Sequence, residues 1–452
     1  MTRILIPSGA LGLDYDQVAL ERGVAAKPDL IAIDGGSTDS GPSYLGRGVS
    51  KYARSSTKIE WMGLIRAARD AGCPLVIGTA GTCGTDSTVD WLLGITRECL
   101  TEIGWEARVA TLKCQQDQNA MAKAFDEGKI APLPAAPNID AGTLLSCTNI
   151  VALAGAEQIA AAIDTGADII IAGRTTDTAI IAALPLVNGD NAGAAWHGAK
   201  IGECGALCAT NPQSGVILVD FDSQGFTITP MADGANATPH TVSAHMLYEN
   251  SDPYILYEPG GHLDVRHAKY HALDDSRVRV EGSVWVPSET YAVKLEGAGI
   301  AGYQTILVAT LRDPRCVANV RTWTADILVK HAAKVAKRLG LDDSEYSVQL
   351  RVVGDNATLG DLEQVTSNAA EVGVICIVTA ADQETANEIG KVMNPYLLHH
   401  PLTREEEQPT FSFPFSPAEI DRGPTYEFRL NHVLTLDDPM AAFKLEVIDA
   451  AG

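Results

Sequence analysis

Residues 168–186 read DIIIAGRTTDTAIIAALPL, and this stretch decides the fold class. Ile169, Ile170 and Ile171 are a short β-branched run, apolar at every position, which is the pattern of a strand buried on both faces. The run ends in the glycine-containing loop from Gly173, and a helical stretch follows at 176–186. Strand, loop and helix in direct succession are half of a βαβ unit, so a parallel sheet covered by helices is predicted.

The same succession recurs towards the N-terminus. RILIPS (3–8), DLIAID (29–34), PLVIG (74–78), RVATLK (108–113) and NIVALA (149–154) read as further strands of that sheet. IEWMGLIRAARDAG (59–72), STVDWLLGITRECLTEIG (87–104) and AEQIAAAIDTG (156–166) read as the helices between them. Residues 1–190 are therefore expected to form an α/β domain with a doubly wound, mostly parallel sheet. From Asn191 the pattern changes. Residues 191–300 are rich in Gly, His, Asp and Tyr, with β-like runs GVILVDF, RVRVEGSVWV and YAVKLEG, and are expected to form an irregular, β-rich linking subdomain. Residues 301–452 then follow the order β-α-β-β-α-β, which predicts a ferredoxin-like α+β domain with a C-terminal extension. Within it, 402–424 (LTREEEQPTFSFPFSPAEIDRGP) is expected to be a surface connection.

A chain of 452 residues exceeds the size at which single cores stop growing, which agrees with several domains. Its 57 acidic and 34 basic residues leave a net charge of -23, which repels nucleic acid and anionic membranes. No apolar run approaches the length of a membrane span, and the N-terminus lacks the pattern of a signal peptide. Nine cysteines, an odd number in a chain large enough to need no staples, read as reduced thiols in the cytoplasm.

Three strands end in loops of one type: glycine, a hydroxyl, Asp, then another hydroxyl. The first carries Gly35, Gly36, Ser37, Thr38, Asp39 and Ser40; the second Gly81, Thr82, Cys83, Gly84, Thr85 and Asp86; the third Arg174, Thr175, Thr176 and Asp177. In a parallel sheet all three lie at one edge, where open α/β sheets bind ligands. Glycine N–H groups and hydroxyls can meet an anion there, and Arg174 can clamp a carboxylate. Asp39, Cys83, Asp86 and Asp177 are the candidates for moving a proton. The plain alternative is that each Thr-Asp pair caps a helix. None of the loops has GxGxxG spacing or a phosphate-binding GK[ST], so nucleotide binding is not supported.

Other residues attract weaker readings. His240, His245, His262, His267 and His271 cluster, and His267 and His271 are spaced for one helix face, but no zinc-site rule is met and no metal is predicted. Cys204 and Cys208 lack a third thiolate for an iron–sulfur cluster and read as small buried residues. His399 and His400 end a helix, where their charge is favourable. Lys294 and Glu296 share one face of a strand, and Lys294 can complement an anionic ligand. No cofactor is predicted.

GGSTDSGPSYLGRG, VIGTAGTCGTDS, AGRTTDTA, KIGECGA, SAHMLYENSDPYILYEPGGHLDV, RVRVEGS and FPFSPAEIDRGPTYEF together resemble the acyclic terpene utilisation family. The resemblance is collinear over nearly the whole chain. It implies thioesters of branched unsaturated acids as a chemical setting and a small companion protein as a partner; the chain's end, from Arg422, resembles the start of such a companion. The reading of the loops suits a small carboxylate equally. The expected activity is that of a lyase, a hydratase or dehydratase acting on a small hydroxy carboxylic acid or its coenzyme A thioester. An isomerase of the same substrates and a non-catalytic assembly subunit are the alternatives. A homo-oligomer is expected.

Overall fold

The computed structural model describes residues 1–365, 368–406 and 411–450. The chain divides into two compact units: residues 1–299 joined by the chain from Glu427 onward, and Ile300–Tyr426.

The first unit is built on a ten-stranded sheet. Its centre is five parallel strands in the spatial order Thr2–Ile6, Leu30–Asp34, Leu75–Gly78, Ile169–Ala172 and Ala107–Lys113. Both faces are covered because successive residues point to opposite sides. Ile4, Ile6, Ala32, Val76 and Ile170 face one core, with Ile159, Ile180 and Trp196 from the helices Ala156–Asp164, Ala179–Val187 and Ala192–Gly202. Leu5, Ile31, Ile33, Ile77 and Ile171 face the other, with Leu20, Trp61 and Leu92 from Gln17–Ala25, Arg54–Ala71 and Asp86–Ile103. Trp61 is fully buried, and its indole N–H donates to Thr96 Oγ1 at 2.8 Å, so burial strands no polar group.

Two expectations are corrected. Asn149–Ala152 is a strand, but it pairs antiparallel with the long strand Tyr291–Leu311 and with Gln115–Gln116 rather than joining the parallel sheet. The place beside Leu75–Gly78 is taken by Ile169–Ala172, which also pairs with Ala107–Lys113 and so closes the parallel run. The middle of the chain is not a separate subdomain. Its strands Ile217–Phe221, Gly225–Pro230, Val278–Glu281 and Lys269–Ala272 extend the main sheet antiparallel from Thr2–Ile6. A small sheet of Ile255–Glu258, Gly261–Asp264 and Val284–Pro287 belongs to the same unit, with Trp285 stacked on Trp196 at 4.8 Å.

The chain's end also returns to this unit. Lys444–Ala450 pairs antiparallel along Ala107–Lys113 and forms the far edge of the main sheet. In the second unit the spatial order is Tyr346–Val353, Val372–Ala380, the later half of Tyr291–Leu311, then Ile420–Phe428. Second, third, first, fourth is the ferredoxin-like arrangement. Helices Val320–Leu339 and Gln383–His399 cover it through Trp323, Ile327, Ile389 and Met393. Of the connection expected at 402–424, residues 407–410 lie outside the described residues, as do the last two residues of the C-terminal extension. Among the described residues no helix is long and apolar enough to cross a membrane.

Candidate functional site

The strands Leu30–Asp34, Leu75–Gly78 and Ile169–Ala172 are neighbours, so their three loops meet at one edge. Backbone bonds join them: Gly35 N–H donates to Gly78 O at 2.8 Å, Thr79 N–H to Gly173 O at 2.7 Å, and Arg174 N–H to Gly84 O at 3.1 Å. This closeness is why glycine is needed. A Cβ at Gly35 would fall 2.3 Å from Thr79 O, and at Gly84, where φ is +64°, 2.2 Å from Arg174 N. The glycines read as anion donors thus serve first to let the loops touch.

Arg174 does not stand open to a ligand. It is buried, with Nε 3.0 Å from Glu296 Oε2 and Nη2 3.2 Å from Glu296 Oε1. Nη1 also donates to Thr79 Oγ1 at 3.4 Å and Nη2 to Thr38 Oγ1 at 3.5 Å. Burial works against both charges. The pairing outweighs it, holding the guanidinium above and the Glu296 carboxyl below their ordinary ranges. Lys294 Nζ lies 3.6 Å from the same Glu296, so its charge too is turned to that carboxylate.

The other expected residues separate into two groups. Gly36, Ser37, Asp39, Thr82 and Asp177 line a cavity of about 620 Å³ at this edge. Cys83 is fully buried among Leu45, Val151 and Ala298, with Sγ 3.6 Å from Thr85 Oγ1. Asp86 begins its helix and exchanges hydrogen bonds with Gln115, whose backbone N–H donates to Oδ1 at 3.2 Å. Thr175 is buried behind Thr79, Thr176 Oγ1 sits 3.2 Å from Thr178 Oγ1, and Gly81 packs at +67° against Thr88. Ser40 is exposed.

Several cavity residues escaped the sequence reading. Asp34, the last residue of its strand, is buried and lines the cavity. Its Oδ2 accepts the Gly36 N–H at 2.9 Å, while Oδ1 has no partner. Burial, then the nearby Asp177, pushes its carboxyl well above the usual range. Asp177 is raised as well, by burial opposed by Arg174 and Lys200. Lys51 and Tyr52 line the cavity from the chain after the first loop, and Tyr248 and Glu249 close it from the middle segment.

Two further acids lie near Asp177. Glu203 is pushed up to about 8 by burial, although Lys200 forms a short ion pair with it. Glu258 is pushed up to about 7 by burial, although Thr178 Oγ1 donates to its Oε1 at 2.5 Å; its Oε2 has no partner. Next to Glu203 stand Cys204 and His245, and one donor atom from each of the three lies within 4.8 Å of the others. The sequence reading set Cys204 against Cys208 and pooled His245 with four other histidines. The signal was the Glu-Cys pair of KIGECGA, whose partner comes from forty residues further on only in the fold. The spacing of His267 and His271 implied a helix face; instead His271 lies on the strand Lys269–Ala272, and His267 precedes it in a turn.

The family model described as acyclic terpene utilisation family protein AtuA matches residues 51–412. The chain belongs to this family. The matched segment includes the second and third loops and Glu203, Cys204 and His245, and begins after the first loop. No curated protein and no solved structure matches the chain.

Proposed function

From this membership, and from the acids at the sheet edge, we propose that the protein is a catabolic lyase. In this reading it is a hydratase or dehydratase interconverting a small hydroxy carboxylic acid, or its coenzyme A thioester, and the unsaturated partner. The observation that carries the reading is the pair Asp34, buried, and Asp177, half-buried, two carboxyls lining one cavity, each raised above the usual range. In this reading one of the two acts as the carboxylate and the other as the carboxylic acid. The carboxylate removes the proton beside the substrate's carboxyl or thioester carbonyl. The electron pair becomes the carbon–carbon double bond, and the carbon–oxygen bond breaks as the carboxylic acid protonates the departing hydroxyl, releasing water.

Arg174 is committed to Glu296, so the cation for the substrate's carboxylate is assigned to Lys51, at the cavity wall. Ser37 adds a hydroxyl donor there. The cavity volume is within the range of small-molecule sites. Nine free cysteines fit a reducing cytoplasm.

A thermal-shift screen of di- and tricarboxylic acids, branched hydroxy acids and their coenzyme A esters tests the reading. A selective stabilisation is expected, weakened in Lys51→Ala. Asp177→Asn is expected to keep ligand binding while losing turnover and exchange of the substrate α-proton with deuterium from solvent. Exchange with neither gain nor loss of water would assign an isomerase. Silence across all these ligands would sink the carboxylate-binding cavity altogether.

A further inference from the structure

Glu203, Cys204 and His245 take no part in the proton chemistry above. We propose that these three side chains hold a divalent transition-metal ion of the zinc class, with its remaining position open to the cavity. A carboxylate, a thiolate and an imidazole are donors that zinc accepts together, whereas magnesium and calcium favour oxygen alone.

The placement is tertiary. Glu203 follows the helix Ala192–Gly202 and Cys204 comes directly after it, while His245 ends the helix Pro239–His245. Their donor atoms lie within 4.8 Å of one another. A tetrahedral zinc with bonds of about 2.0–2.3 Å holds its ligand atoms about 3.3–3.8 Å apart, so closing on the ion takes roughly 1 Å of side-chain movement.

An independent observation points to a ligand. His245 is only 6% exposed, yet its Nε2 has no hydrogen-bond partner. A buried ring nitrogen without a partner is costly and rare, and a metal bond removes the cost. Stacking on Tyr248, with centroids 5.4 Å apart and planes at 15°, fixes the direction of the ring. Lys200 donates to Oε1 of Glu203, which leaves the second carboxylate oxygen outside that ion pair. The ammonium opposes a metal, while Asp177 and Glu249 add negative charge near Cys204. Cys204 itself lines the cavity. Three protein donors and an open position towards a cavity form the pattern of zinc sites that polarise a substrate oxygen.

The test reads the metal, so it can fail while the carboxylate-binding cavity stands, and the reverse. The full chain is stripped with a chelator, equilibrated with zinc alone or cobalt(II) alone, and dialysed. One equivalent per chain is expected by elemental analysis, together with a thiolate-to-cobalt charge-transfer band. Cys204→Ser is expected to abolish the band, and His245→Gln to weaken binding at least about tenfold, as loss of a metal-site partner does. Cys208→Ser, which alters a buried thiol bonded to Gly205 O, is expected to keep both. Substoichiometric metal in the native chain overturns the proposal, as does a band that survives Cys204→Ser. Should that variant not fold, unchanged affinity in His245→Gln overturns it alone.

Discussion

Arg174 shows how far a residue's type constrains its role. An arginine in a glycine loop at the sheet edge reads as an anion clamp, but the anion it holds is Glu296, supplied by a strand more than a hundred residues away. Removing one partner of such a buried pair leaves an uncompensated charge, so Arg174→Ala is expected to cost about 3–5 kcal/mol in urea unfolding. The double replacement Arg174→Met with Glu296→Met should recover most of that loss. Glu258 makes a second prediction. Its folded value of about 7 lies above the ordinary 4.5, chiefly through burial, so the folded state holds the proton more tightly. The stability this group contributes is complete below its unfolded value and is lost as pH rises through about 7. One such proton gives a slope of at most about 1.4 kcal/mol per pH unit. Unfolding followed across that window should therefore show wild-type stability falling more steeply than that of Glu258→Gln. An equal slope in both would show that Glu258 is not buried as a proton-holding acid.

Among the elements, the parallel strands and their helices were legible because a strand buried on both faces must be apolar at every position, as Ile169–Ala172 and Leu75–Gly78 are. Pairing was less legible. NIVALA is a short apolar run like its neighbours, yet it pairs with Tyr291–Leu311, while Ile169–Ala172 lies beside Leu75–Gly78. His267 and His271 illustrate the limit of periodicity, since a spacing of four fits a helix only where a helix exists. The loops make the element-scale prediction. Gly84→Ala forces a side chain onto a +64° backbone and against the Arg174 amide. Left-handed strain of about 1–2 kcal/mol and overpacking of about 1–3 kcal/mol should add, so a loss of roughly 2–5 kcal/mol is expected in denaturant unfolding. A neutral result would mean that the three loops are not held as tightly as their hydrogen bonds indicate.

At the scale of the whole molecule, the first unit includes a return of the chain that composition does not announce. Residues from Glu427 onward rejoin the first unit, where Lys444–Ala450 covers the edge strand Ala107–Lys113. A chain ending at Arg429 would expose that edge and lose the packing of Met440, Phe443 and Leu445. It is expected to self-associate in size-exclusion chromatography; a monodisperse monomer would count against this role of the C-terminal strand. The sequence by itself determined the α/β class, five strands of the parallel core with the helices between them, the ferredoxin-like order of the second unit, and the three loops, because each is written in local periodicity and turn chemistry. Only the tertiary structure decided which residues surround the cavity. Burial and proximity bring Asp34 beside Asp177, spend Arg174 on Glu296, and set His245 against Glu203 and Cys204. Charge in a protein interior depends on what lies a few ångströms away and on how much water is excluded, and neither is a property of neighbours in sequence.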